Sequence, residues 1–260
     1  MLEILSDKYY LEDSVFRPDN LLREARRQKN LPECEVPSIC VLDPDGDLAE
    51  YLKRTGQATK NKCWACYHSE LFTFDLDGWH IGIIPCVVGA PYAVLVAEQL
   101  AVSGCRFIIS ITSAGIINEP MTEKRFALII EAIRDEGTSY HYVPAGEKAM
   151  LAAPLAVVLH KLISDSACPF FEGISWTTDA PYRETPSAIQ NRKQTNITCV
   201  EMEASALYSF AKVRNHHVIC FAHLTNKMAQ REGDFEKGIE MGSIDSLSLI
   251  NYLLPAIKDL

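Results

Sequence analysis

The stretch Arg106 to Thr112, RFIISIT, restricts the fold more than any other: it is apolar without alternation, so both of its faces need cover. Strands of that kind run inside sheets that carry helices on both sides, which makes the chain α/β. The neighbouring segments agree. Ser38 to Leu42 is a short apolar run that stops at the acidic turn Asp43-Pro-Asp-Gly-Asp47, before a helical Leu48 to Arg54. Ser69 to Leu76 and Trp79 to Val88 flank Asp77-Gly78, a strong hairpin signal. The second run ends at Gly89-Ala-Pro-Tyr92, ahead of a helix over Ala93 to Ser103, and RFIISIT itself ends in Ser113-Ala-Gly115. Repeated glycine turns after strands expose backbone N–H groups along one edge of the sheet, the expected binding face.

Further along, strands are expected at Phe126 to Glu131, Gly173 to Thr178, Asn196 to Val200 and Val218 to Leu224, with helices at Pro154 to Ser164 and Pro186 to Lys193. Ala132 to Tyr142 is polar and aromatic, too regular for a random loop. Within it, Arg134, Asp135 and Glu136 fit either a surface ion-pair cluster or the site, and His141 fits either a base in the pocket or, the more common outcome, a buried, hydrogen-bonded histidine. A closing helix over Ile244 to Leu260 puts Leu247, Ile250 and Leu254 on one face despite Pro255. At the other end, Leu21 to Lys29 reads as an amphipathic helix with an Asp or Asn cap, and residues 1–37 as a helical appendage to one domain spanning 1–260. No repeats or low-complexity linkers interrupt it.

Composition narrows the partners. With 48% hydrophobic residues over 260 positions the chain can bury a large core, and a net charge of -9 opposes a polyanionic partner such as nucleic acid. The longest apolar run, Ala149 to Leu159, is far too short to span a bilayer, so no membrane partner is expected. Met1 to Asp7 carries two acids and no apolar core, unlike a secretory segment. Nine scattered cysteines, an odd number, suit a reducing cytoplasm rather than a disulfide framework. Cys63-Trp-Ala-Cys66 and His68 have metal-ligand spacing on one side only, so ordinary buried thiols and no metal are expected there.

The chemistry centres on Cys199 to Ala211, CVEMEASALYSFA. Glu201 and Glu203 stand two apart where an apolar strand meets a helix that carries Leu207, Phe210 and Ala211 on one face; as an extended pair they would point the same way. A first helical turn favours acids through the macrodipole, but a strand end opening a helix is also where α/β sheets keep ligands.

Taken in order, Asp43-Pro-Asp45, Val88-Gly-Ala-Pro91, Ile111-Thr-Ser-Ala-Gly115, Ile133 to Tyr142, Thr178-Asp179 with Tyr182-Arg183-Glu184, and Glu201-Met-Glu-Ala204 resemble the nucleoside phosphorylase family of the purine and uridine phosphorylase type, which also includes nucleosidases. The similarity runs through about residues 38 to 228, and the uridine phosphorylase branch is the one it resembles most. It implies a three-layer fold, a twisted mixed β-sheet flanked by helices. It also implies a nucleoside substrate, no organic or metal cofactor, phosphate as possible co-substrate, and a homo-oligomer, either a dimer or a ring of dimers.

Cleaving an N-ribosidic bond passes through a cation-like sugar, as glycoside hydrolysis does. By resemblance Glu203 binds the ribose hydroxyls and stabilises that charge, Met202 packs on the sugar and Glu201 supports the site; Tyr182, Arg183 and Glu184 hold the base. Asn226 stands where the uridine branch has an asparagine and purine-specific members an acid, which tilts towards a pyrimidine or an unusual base. Departures fall on the phosphate site. Its arginine and glycine positions read Leu42, Gly46 and Ser110, and serine cannot replace a bidentate guanidinium. Asp43, Ser110, Thr112, Ser113, Gly115 and His68 remain as the residues of a phosphate or water site, His68 near where a basic residue is borrowed from a neighbouring subunit. Three readings follow: a phosphorylase giving ribose 1-phosphate through an atypical phosphate site, a hydrolase whose water is activated by Asp43 or Asp45, and a non-catalytic nucleoside-binding relative.

Overall fold

The computed structural model describes residues 3–6, 8–228 and 232–258. Among them a mixed ten-stranded sheet is flanked by seven α-helices. Its spine is parallel: β1 (Ile39–Asp43) pairs with β4 (Trp79–Pro85) on one side and β5 (Phe107–Ile116) on the other, and β5 pairs in turn with β10 (His217–Asn226). Phe107 to Thr112 of the non-alternating RFIISIT stretch form the first six of the ten residues of β5, all buried. The hairpin of β3 (Phe72–Leu76) and β4 turns at Asp77-Gly78, both residues at positive φ, as a tight two-residue turn requires. The short β2 (Thr59–Lys60) extends that side.

Beyond β10 the sheet closes on itself. β10 pairs antiparallel with β6 (Phe126–Asp135), β6 pairs parallel with β8 (Phe170–Thr178), β8 with β9 (Cys199–Glu201), and β9 returns antiparallel to the end of β5. The two-residue β7 (Ala149–Met150) adds to β6. This closure carries Glu201 and Glu203 to the carboxyl end of β5 from the opposite direction to the parallel strands.

Of the helices, α1 (Pro18–Lys29) lies against α3 (Ala90–Val102), and α2 (Asp47–Arg54) follows β1. α4 (Ala153–Ile163) and α5 (Pro186–Gln194) flank β8, and α7 (Ser243–Ile257) carries Pro255 inside it. The expected helix end at Leu260 lies outside the described residues, as do Met1, Leu2 and Asp7 of the opening segment. α6 (Ala204–Arg214) is buried at every position from Ala204 to Ala211, not on one face. Its alanines and serines let it press between α3 and the sheet, and Tyr208 pins it there by donating to the Ile129 carbonyl and accepting from Cys220 N–H.

Several expectations change. α1 begins with Pro18 at its first position and no side-chain cap, not with an Asp or Asn cap. β6 runs four residues further than expected, to Asp135. At its polar end Arg134, Asp135 and Glu136 do not pair with one another: Arg134 donates to the carbonyls of Val143, Pro144 and Glu147, Asp135 accepts from the Trp176 indole and pairs with Arg192 at 3.7 Å, and Glu136 is buried under Ser139 N–H and the Ser205 hydroxyl. His141 is exposed, not buried. Cys63 is bridged to Cys34 with Cα atoms 5.2 Å apart, so it is not a free buried thiol, and the cysteine count alone did not exclude a disulfide. Among the described residues, no helix is long and apolar enough to cross a membrane.

Candidate active site

Glu203 occupies the N-cap position of α6, where φ -129° and ψ -37° turn the chain out of β9. That turn parts the two carboxylates. Glu201 points back into the protein and accepts from the hydroxyls of Ser175 and Thr177 and from the N–H groups of Glu203 and Ala204, the last two at 2.7 Å. With four donors it is saturated and caps its own helix. Glu203 instead accepts one bond through Oε1, from Gly89 N–H at 2.7 Å, while its buried Oε2 has no protein partner. Gly89 adopts φ 87° and ψ 147°, a conformation open essentially to glycine alone, so the Gly89-Ala-Pro turn aims that N–H.

A buried acceptor without a donor is costly unless a ligand supplies one. The electrostatics agree. Burial, then the neighbouring Glu201, pushes the Glu203 carboxyl up to about 8; the Gly89 N–H opposes this, and so, more weakly, do the Thr112 hydroxyl and the Met202 N–H, which lie near without completing a hydrogen bond to Oε2. Glu201 is also raised, chiefly by burial, despite its four donors. Met202, half-buried, stands between the two.

Asn226 ends β10 opposite Gly115, just past an irregularity in the strand pairing. Its Oδ1 accepts from Met228 N–H at 2.9 Å, and Nδ2 donates to the Thr225 hydroxyl at 3.3 Å, leaving one amide hydrogen to spare. Gly115 is glycine for space: a Cβ there would lie 2.5 Å from Met228 Sδ and 3.0 Å from Val200 Cγ1. Met228 also lines a cleft of about 460 Å³ with Pro181, Glu184, Ile189 and Lys193. Glu184 is half-buried there, and burial raises its carboxyl to about 7. Tyr182 and Arg183, on the short 3-10 turn Pro181–Arg183, are exposed, Tyr182 fully so.

The acceptor residues divide by strand face. Ser110 and Thr112 are buried on the face of β5 that Glu203 approaches, whereas Ser113 alternates to the other side and meets Asp45. Asp43 ends β1 and caps α2, accepting from Gly46 N–H at 3.1 Å and Ala49 N–H at 2.9 Å. Burial, with Asp45 and Asp47 adding to it and those N–H groups opposing it, raises Asp43 to about 7. His68 is not brought to this group. It lines a separate cleft of about 890 Å³ with Trp64, Cys86 and Tyr92, and its carbonyl accepts from the Tyr92 hydroxyl. Glu203 does not line that cleft, and its orphaned carboxylate oxygen marks the candidate site.

Three participants were not singled out by the sequence as site residues. Gly89 sat in a recognised turn, but its contact with Glu203 spans 114 positions. Lys237 pairs with Asp45 and Asp47; burial works against its charge, and the two carboxylates outweigh that and hold the ammonium above its ordinary value. His223, next to Ser113 in the strand pairing, is stacked on Phe126, and burial pushes it down to about 4. A lone lysine in the charged run Glu232-Gly-Asp-Phe-Glu-Lys237 gave no signal for its partner.

The three-layer α/β fold, with strands closing around a buried carboxylate, is the class of architecture to which the chain belongs. The chain belongs to the phosphorylase superfamily, whose family model matches residues 38–252. It is 28% identical over 170 residues to the uncharacterized protein R802 of Acanthamoeba polyphaga mimivirus, covering 65% of this chain and 64% of that one. It is 25% identical over 192 residues to the uridine phosphorylase of Thermococcus kodakarensis, covering 65% of this chain and 69% of the relative. Its fold matches a purine nucleoside phosphorylase from Toxoplasma gondii in complex with immucillin-H (TM-score 0.70, 17% identity, 86% of this chain and 90% of the other). It also matches a uridine phosphorylase from Vibrio fischeri (TM-score 0.63, 18% identity, 85% and 88%).

Proposed function

We propose that the protein binds a nucleoside and cleaves its N-ribosidic bond, with Glu203 as the ribose ligand. The observation that carries this reading is the buried Glu203 Oε2, an acceptor without a partner beside a carboxylate that has four. Ribose hydroxyls donating to Oε2 satisfy it and draw the carboxyl towards its charged form, which then stabilises the positive charge that develops at C1′ as the bond to the base breaks. Met202 covers the sugar, and the saturated Glu201 holds the turn that aims Glu203. The spare Asn226 amide hydrogen meets the developing negative charge on the base, and the cleft bearing Glu184 takes the base itself. Asn226 cannot act as an acid, which favours uridine-type substrates.

The acceptor completes the reaction. In phosphorolysis a phosphate oxygen forms the new bond to C1′ and the base leaves with the glycosidic electron pair, giving ribose 1-phosphate. In hydrolysis water forms that bond and its proton ends on the base. Family membership supports phosphorolysis. The acidic surroundings of Ser113, where Asp43, Asp45 and Asp47 gather, favour hydrolysis as the second reading. We place the protein in the cytoplasm as a cofactor-free homo-oligomer, in which His68 would serve a neighbouring copy.

Chromatographic detection of free base from a nucleoside panel, with and without phosphate, tests both. Base release that Glu203→Gln removes supports the proposal. Binding of nucleosides without any product would make the chain a non-catalytic relative, and no binding at all would sink the ribose-ligand reading.

A further inference from the structure

Ser113 donates twice to one carboxylate. Its N–H reaches Asp45 Oδ2 at 3.0 Å and its hydroxyl reaches Asp45 Oδ1 at 2.8 Å. On the same oxygen side the Lys237 ammonium stands 3.4 Å from Asp45 Oδ1, while it also pairs with Asp47. A backbone N–H, a hydroxyl and an ammonium converging on two oxygens of one planar anion form the donor set of an oxyanion site. In this protein the anion is part of the chain. Gly46, at φ 80°, makes the turn that swings Asp45 across; a Cβ on it would lie 2.9 Å from Cys86 Sγ, so the Asp-Pro-Asp-Gly turn fits this one course.

A second observation concerns the space behind the carboxylate. Asp43, Asp45, Asp47, Thr112, Ser113 and His223 bound a cavity of about 20 Å³, room for about one water and not for a tetrahedral oxyanion. His223 Nε2 is buried there without a partner. With Asp45 in position there is no volume for a second oxyanion, and Asp43 and Asp47 would repel one.

We propose that Asp45 is a built-in anion occupying an oxyanion subsite made by Ser113 and Lys237, and that it keeps inorganic phosphate out. Its consequence for the reaction, that water accepts the sugar, is the second reading given above and rests on Glu203 as the ribose ligand. Removing the carboxylate leaves the Ser113 donors and Lys237 free to take phosphate, with Lys237 still held by Asp47. One side chain thus closes the subsite to phosphate.

The test measures inorganic phosphate binding by calorimetry and by phosphorus NMR line broadening, at constant ionic strength and without nucleoside. The full-length protein is compared with Asp45→Ala, Asp45→Asn and Asp45→Ala/Ser113→Ala, each checked for folding by circular dichroism. The wild type is expected to bind no phosphate saturably. Asp45→Ala should gain at least about tenfold in affinity, since charge-assisted donors are released to the ligand, and Asp45→Asn should gain less because its amide still fills the space. The double variant should lose most of the gain. Asp45→Asn keeps the shape of the turn and carries the test if Asp45→Ala does not fold. Phosphate binding by the wild type as tight as by Asp45→Ala, no gain in either folded variant, or an undiminished gain in the double variant would overturn the proposal. Phosphate binding gained without base release from any nucleoside would uphold the subsite and sink the proposed function instead.

Discussion

The two ends of the candidate site treat their polar groups in opposite ways. At the sugar end a buried carboxylate, Glu203, has an acceptor oxygen that the protein leaves alone, next to Glu201, which the protein satisfies four times over. At the acceptor end donors and acceptors alike are committed: the donors Ser113 and Lys237 are occupied by Asp45, and the acceptor Asp43 by the first turn of α2. The contrast teaches that polar residues of similar type, on adjoining strand ends, are poised for a ligand only where the chain has withheld a partner. Glu201 and Glu203 make the point most sharply, since a single residue, Met202, separates a helix cap from a binding group.

Substitutions can break that comparison. Glu203→Gln is expected to lower the rate of base release by about a thousandfold, about 4 kcal/mol in the barrier, because a neutral amide cannot stabilise a cation-like sugar. Its stability at neutral pH should be unchanged or improved. Glu201→Ala should do the reverse in kind, destabilising the fold by about 3 kcal/mol in urea unfolding, since two hydroxyls and two N–H groups lose their buried acceptor. Equal destabilisation by the two substitutions would erase the distinction drawn here.

The next effect is one of pH. Glu203 and Asp43 hold their protons more tightly folded, at about 8 and about 7, than their ordinary values of 4.5 and 3.8. Stability from these groups is full below about pH 4 and is lost as pH rises through 7 and 8, by about 2 kcal/mol or more in total. Thermal melts between pH 5 and 9 should therefore fall, and Glu203→Gln should flatten the upper part of the curve. A melt that rises across that range would contradict the burial of both groups.

Smaller effects sharpen the geometry. Gly89→Ala should cost about 1 to 2 kcal/mol through its strained backbone, read by urea unfolding, and should weaken nucleoside binding by misplacing the N–H that aims Glu203. Nucleoside binding near pH 7 should also release a fraction of a proton as ribose hydroxyls draw Glu203 towards its charged form. Calorimetry in buffers of different ionisation enthalpy would detect this, and a null result would mean that Glu203 does not change charge on binding.

Much of the architecture was legible because local chemistry controls it. The non-alternating β5 demanded cover on both faces, Asp77-Gly78 made its hairpin, and the Glu201-Met-Glu-Ala204 stretch opened a helix where it was expected to. Boundaries drifted where tertiary pairing lengthened a strand: β6 reaches Asp135 because β8 pairs with it that far, although the sequence had turned polar. The sequence showed one apolar face on α6, yet alanines and serines fill the others and are buried just as well. The Cys34–Cys63 bridge was invisible for a related reason, since 29 positions separate two cysteines that only folding brings together.

Residue types, their order and the turns between them were determined by the sequence itself, and with them the α/β class, the family resemblance and the stretch that bears the carboxylates. Which carboxylate is spent on the fold and which is left for a ligand was decided by the tertiary structure. Nothing local distinguishes Glu201 from Glu203, or foretells that Asp45 will meet Ser113 across 68 positions. Hydrogen-bond partners and burial are properties of the closed strands, and charge state follows from them.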